Sequence, residues 1–194
     1  MVSQLKVNEI IKQSGSSISI GESGDTINVS GSALTQGITN AEQWWLTSTQ
    51  AIGSADTDTL ITPFARYSLN GATQIGSIVS SDAGTFSFSQ TGKYLISFFG
   101  YYKRTNHLVQ YAGNKIKMTT NNSTYNDMVQ QFTNLQDSAS THGGTVTQGL
   151  FDISDTSNCK IRFYAQCSDA SGIELQGNTA KGVNYANFLR IGDT

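Results

Sequence analysis

The sequence predicts an all-β, antiparallel fold, and three observations carry that expectation. Short runs alternate between apolar and polar residues, and turn signals separate them roughly every 8–12 residues. Helical periodicity is sustained nowhere beyond a weak trace at 126–135. The composition agrees. Of 194 residues only 13% are charged, while 37% are hydrophobic, and 19 glycines stand beside a single proline. A helical bundle would be richer in Glu, Lys, Ala and Leu, and a disordered chain would carry more charge. The length fits one ordinary domain preceded by a short arm.

The arm comes first. Residues 1–40 hold Leu5, Val7, Ile10 and Ile11, then two minimal alternating pairs, Ile18/Ile20 and Ile27/Val29, with Gly21-Glu-Ser-Gly24-Asp turning the chain between them. Strands this small bury too little apolar surface to stand alone. Leu5, Val7, Ile18, Ile20, Ile27 and Val29 are therefore expected to order against sister chains or another protein. The N-terminus lacks the apolar stretch and small-residue cleavage site of a secretory signal, and no run approaches a membrane span. The expectation is a soluble product of a cytosol that does not insert into membranes.

The head follows at 41–194. Trp44-Trp45-Leu46 opens it, Phe86 and Phe88 alternate, and Gln90-Thr-Gly-Lys turns into Tyr94-Leu-Ile-Ser-Phe98-Phe-Gly-Tyr101. Leu108–Tyr111, Lys115–Met118 and Gly149–Ile153 are further strands. Ile161, Phe163, Ala165 and Cys167 alternate against Lys160, Arg162, Tyr164 and Gln166, and Val183–Ile191 closes the chain. On one extended strand, Cys159 and Cys167 would be roughly 26 Å apart, far past the Cα separation of about 7 Å that a disulfide spans. They read as two half-buried thiols without chemistry.

The stretch Thr85-Phe-Ser-Phe-Ser-Gln-Thr-Gly-Lys-Tyr-Leu-Ile-Ser-Phe98 resembles a strand–turn–strand of the globular head of complement first-component q chains, one of the tumour-necrosis-factor-like jelly rolls. Leu150-Phe-Asp-Ile, the turn Ser154-Asp-Thr-Ser-Asn, Lys160-Ile-Arg-Phe and the closing Tyr185-Ala-Asn-Phe-Leu-Arg-Ile191 follow in the same order. The resemblance implies an antiparallel jelly-roll sandwich. The layout of Met1-Val-Ser-Gln-Leu-Lys-Val-Asn, a Ser/Gly/Ile arm, Gln43-Trp-Trp-Leu-Thr and such a head is similar to virion structural proteins of bacteriophages, particularly those of marine and cyanobacterial hosts. It implies a homotrimer forming a short fibre, knob or capsid decoration, located in the virion and gripping other virion proteins through residues 1–40. The tail-docking domain and long shaft of a tail fibre are missing from this layout, which leaves head and tail attachment both open.

A trimer is expected from the residues as well. Tyr94, Ile96 and Phe98 form one face of their strand and Leu95, Phe99 and Tyr101 the other, so both faces are greasy. A sandwich buries one face per sheet, and the second should meet another subunit or a ligand. Phe99, Tyr101 and Tyr164 are the residues expected at that seam, each aromatic contributing roughly 1.5–3 kcal/mol on burial.

Catalysis is not expected. Gly21-Glu-Ser23-Gly24-Asp25 superficially matches a serine-hydrolase nucleophile segment, but residues 1–20 supply neither His nor Asp and the required second glycine is Asp25. The two histidines, His107 and His142, have no neighbouring ligands at metal spacing. Asp127, Asp137, Asp152 and Glu174 show no pairing in sequence. No cofactor or metal is expected. Nucleic acid is not an expected partner either, since net charge is −2 and Tyr101-Tyr-Lys-Arg104 is too small a basic cluster. Binding is the better expectation. The amide- and hydroxyl-rich segments 121–144, with Tyr125 and Phe132, and 176–185, with Asn184 and Tyr185, read as loops suited to a host-surface glycan. The rival reading is a bacterial carbohydrate-binding adhesin or lectin with the same head, for which a secretory signal would be expected.

Overall fold

The structure, a computed structural model, describes residues 38–68, 71–105, 108–138, 140–169 and 172–194. Leu5, Val7, Ile18, Ile20, Ile27, Val29, Ser23, Asp25 and His107 lie outside the described residues. Thirteen strands are described: β1 Asn40–Leu46, β2 Gln50–Ala51, β3 Thr59–Leu60, β4 Phe64–Arg66, β5 Val79–Asp82, β6 Thr85–Phe88, β7 Gly92–Arg104, β8 Tyr111–Thr119, β9 Asn126–Asn134, β10 His142–Ile153, β11 Lys160–Cys167, β12 Ile173–Leu175 and β13 Tyr185–Gly192.

All pairings are antiparallel, and they build two sheets. In the first, the long β7 is flanked along its length by β10. On its other side it meets β13, which is followed by β1 and β4, while β12 and β2 continue beside its far end. The second sheet runs β5-β6-β11-β8-β9, with β3 beside the end of β11. The result is the two-sheet jelly-roll sandwich that the alternating pattern and the resemblance together imply.

The core lies between the sheets and is built from the inward half of each alternating strand. Phe98 stacks on Phe163 at 5.1 Å, and Phe86, Phe188 and Phe64 pack their edges and faces around that pair. Both cysteines belong to this layer. They are fully rather than half buried, remain unbridged, and burial pushes the Cys167 thiol up to about 11. A thiol raised in this way, as Cys167 is, carries almost no thiolate at neutral pH and is a poor nucleophile.

The carboxylate of Glu42 is buried beside this core. Glu42 of β1 points inward and accepts hydrogen bonds from the backbone N–H groups of Ile78 and Val79 at 2.6 and 2.9 Å and from the Asn40 amide. Arg66 of β4 pairs with it at 2.6 Å and lies over the Trp44 ring. A buried carboxylate persists only with such compensation, and here the compensation fastens the β4–β5 connection to β1.

Three local expectations are corrected. Segment 126–134 is neither helical nor a loop but β9, an edge strand paired with β8. Its alternation is broken by a register shift opposite Ile116 and Lys117, which leaves Met128, Val129 and Phe132 at a spacing that imitates one helix face. Leu108–Gln110 precede β8 instead of forming a strand, and His142 is the first residue of β10.

Candidate functional site: two outer sheet faces

The two sheets present outer faces of opposite character. On the first, the strand registers align residues into rows. Leu150, Leu95, Leu189 and Ala41 form one row, Gln148, Ser97, Asn187 and Gln43 the next, and Val146, Phe99, Tyr185 and Trp45 a third. Two apolar bands thus flank a polar one, in which Gln43 donates to Asn187 at 2.8 Å. Phe99 stacks on Tyr185 at 4.5 Å, and Trp45 is capped by the edge of Tyr67. Leu150 is 68% exposed, Val146 49% and Tyr101 38%. Phe99, Tyr101, Val146, Val183 and Tyr185 line a shallow trough of about 370 Å³ in this face.

The face exists because β7 is hydrophobic on both sides. Tyr94, Ile96, Phe98 and Tyr102 are completely buried inward, which turns Leu95, Phe99 and Tyr101 outward. Tyr101 and His142, neighbours at the β10 end, stack at 5.2 Å.

The outer face of the second sheet is charged and aromatic. Asp58 sits between Lys115, at 2.9 Å, and Lys117, and Asp127 pairs with Lys117 at 2.8 Å. Lys117 lies 4.9 Å over the Tyr164 ring, and the Arg162 guanidinium 4.0 Å over Tyr125. Burial pushes the Asp58 carboxyl up, but the two ammonium groups outweigh it and hold the group below the ordinary carboxylate range. Lys117 is shifted the complementary way: burial opposes its charge, while Asp127 and Asp58 together raise its pKa. A depressed carboxyl stabilises the fold fully above the unfolded value, about pH 4, and that contribution is lost as the pH falls through the lower folded value. Asp58→Asn should therefore unfold more easily than the parent at pH 7, and the gap should narrow by pH 3. Urea midpoints at both pH values measure it.

The structure separates the residues that the sequence grouped. Phe99 and Tyr101 share the first outer face, but Tyr164 lies on the opposite sheet beneath Lys117, so the three do not share one face of the head. Tyr185 joins Phe99 on the first face instead of lying in a loop. Asn184 is fully buried and not free to meet a ligand. It sits where β7 changes neighbour from β13 to β12. There its amide accepts from the Tyr101 N–H and donates to the Tyr101 and Gln176 carbonyls, standing in for a missing strand. Tyr125 is held under Arg162.

Phe132 is on the outward side of β9, with its ring edge-on to Tyr111 at 5.5 Å. Of the carboxylates, Asp152 pairs with Lys93 at 3.1 Å, Asp137 with Arg104 at 2.9 Å, and Glu174 accepts from Gln176. Sequence reasoning missed Leu150, Val146, Leu189 and Trp45, which become neighbours of Phe99 only through the strand registers.

No family model matches the chain, and no curated protein matches it significantly. Solved structures do. Murine APRIL, at pH 8.5, superposes with a TM-score of 0.54 over 78% of this chain and 98% of its own, at 9% identity. Eiger TNF from S. frugiperda gives 0.56 over 81% and 96%, at 10% identity. At such low identity the likeness shows the fold: the head is a tumour-necrosis-factor-like jelly roll.

Proposed function

We propose that this chain is a non-catalytic building block, a homotrimeric head displayed on a bacteriophage virion and anchored through residues 1–40. The observation that carries the assembly is the outer face of the first sheet. Its row of Leu150, Leu95 and Leu189 and its row of Val146, Phe99, Tyr185 and Trp45 form two apolar bands on either side of a polar one, with Leu150 and Val146 well exposed. A surface of this kind on a soluble head marks a protein contact, and copies of the same chain, related by a closed rotation, are the simplest occupant. The tumour-necrosis-factor-like fold supports three copies. The resemblance of the arm and of Gln43-Trp-Trp-Leu-Thr to phage structural proteins supports the virion, where the head serves host contact or capsid reinforcement.

A binding or structural role also agrees with the carboxylates. Asp127, Asp137 and Asp152 are each engaged by a cation instead of sharing a cleft with one another. The test of placement is direct: an antibody raised against the head should label purified particles of the encoding phage at a fixed copy number. Particles that contain none of this polypeptide would overturn the virion reading.

A further inference from the structure

The outer face of the second sheet holds a small feature that self-association does not explain. Tyr111, Gln130, Phe132, Asn134 and Gln166 line an open depression of about 500 Å³. Strand register creates it. Gln166 of β11, Gly113 of β8 and Phe132 of β9 fall in one row across three strands, with Asn134 and Gln130 on either side of Phe132 along β9. Gly113 is what lays the ring down. A Cβ at that position would run into the Phe132 ring and the Gln131 carbonyl, so only glycine lets the ring rest on the β8 backbone. The ring lies close over Gly113, and the residue stays half-exposed. Tyr111 stands edge-on beside it, its hydroxyl donating to Asp56.

Among the described residues, the side-chain amides of Gln130, Asn134 and Gln166 make no hydrogen bond within the chain. The five lining residues are uncharged; the nearest charges are Lys115, paired with Asp58, and Asp56, which accepts from the Tyr111 hydroxyl. A flat ring offers its face to the C–H side of a pyranose, and three amides supply both donors and acceptors for hydroxyl groups. A lining without charge favours an uncharged ligand over an anionic one. We infer that this shelf is a binding site for a neutral glycan, with Phe132 as the stacking platform and Gln130, Asn134 and Gln166 as the hydroxyl-reading groups.

The inference deepens the display reading above by naming a ligand class, and the site lies on the sheet opposite the proposed subunit contact. The probes are methyl glycosides of glucose, galactose, mannose and N-acetylglucosamine, together with an array of neutral and sialylated oligosaccharides, tested on the full chain. Saturation-transfer NMR should detect at least one neutral sugar. Phe132→Ala should weaken its binding about tenfold or more, and Gln166→Ala, which removes only a surface amide, should weaken it severalfold with unchanged thermal unfolding. Gly113→Ala should reproduce the Phe132→Ala loss by lifting the ring.

No binding to any neutral sugar, a preference for the sialylated members, or binding unaffected by Gln166→Ala would overturn the inference. Mass measured on the same samples separates the two proposals. A trimer that ignores every sugar defeats this one alone, whereas a sugar-binding monomer defeats only the assembly.

Discussion

Phe99→Asp is expected to convert the assembly into folded monomers. Phe99 is stacked on Tyr185 and flanked by Val146 in the middle of the apolar face. In a closed trimer the substitution places three carboxylates at equivalent buried positions, each carrying a desolvation cost of several kcal/mol and repelling the others. Weakening of self-association by about a thousandfold or more follows. The fold should survive, because Phe99 points away from the core that Tyr94, Ile96 and Phe98 occupy. Sedimentation velocity together with circular dichroism distinguishes the outcomes. Loss of the oligomer with an intact spectrum supports the account, whereas an unchanged oligomer places the contact elsewhere.

The second large effect is on stability. Phe163 is completely buried at the centre of the sandwich, stacked on Phe98 and in ring contact with Phe64, Phe86 and Phe188. Four aromatic neighbours drawn from both sheets cannot collapse together into the space that truncation leaves. Phe163→Ala should cost about 3–5 kcal/mol, and Phe163→Leu distinctly less. Chemical denaturation at equal protomer concentration reads both, since unfolding coupled to dissociation depends on concentration. A loss below about 1 kcal/mol for the alanine variant would mean that the aromatic layer is not the core of the fold.

How much of this was readable in advance depends on where each residue's partners lie. The alternation in β7 and β11 is visible because both strands are central and long, so inward Tyr94, Ile96 and Phe98 and inward Ile161, Phe163 and Ala165 leave a clean period of two. The edge strand β9 hid, because a bulge interrupts that period and most of the strand is exposed on both faces. Asn184 looked like a loop amide because its partners at Tyr101, Gln176 and Leu46 come from other elements, and no local pattern announces a side chain that completes a sheet.

Tyr164 looked like a seam residue for a related reason. Alternation tells which side of a strand a residue occupies but not which sheet the strand joins, and β11 belongs to the sheet opposite β7. The grouping of Gln166, Gly113 and Phe132 is likewise a product of register. In sequence they are scattered across three strands, and the glycine that positions the ring resembles any other turn residue. Within 121–144, expected as a loop, residues 126–134 form β9 instead, which sets its amides and aromatics in register on a sheet face.

The central claim is that the greasy outer face of the first sheet is covered by sister chains. Light scattering of the full chain at micromolar concentration tests it most directly. Three protomers of 20.9 kDa should elute as one species of about 63 kDa. A stable species of 20.9 kDa across that concentration range would contradict the account and leave the exposed leucines and aromatics to some other occupant.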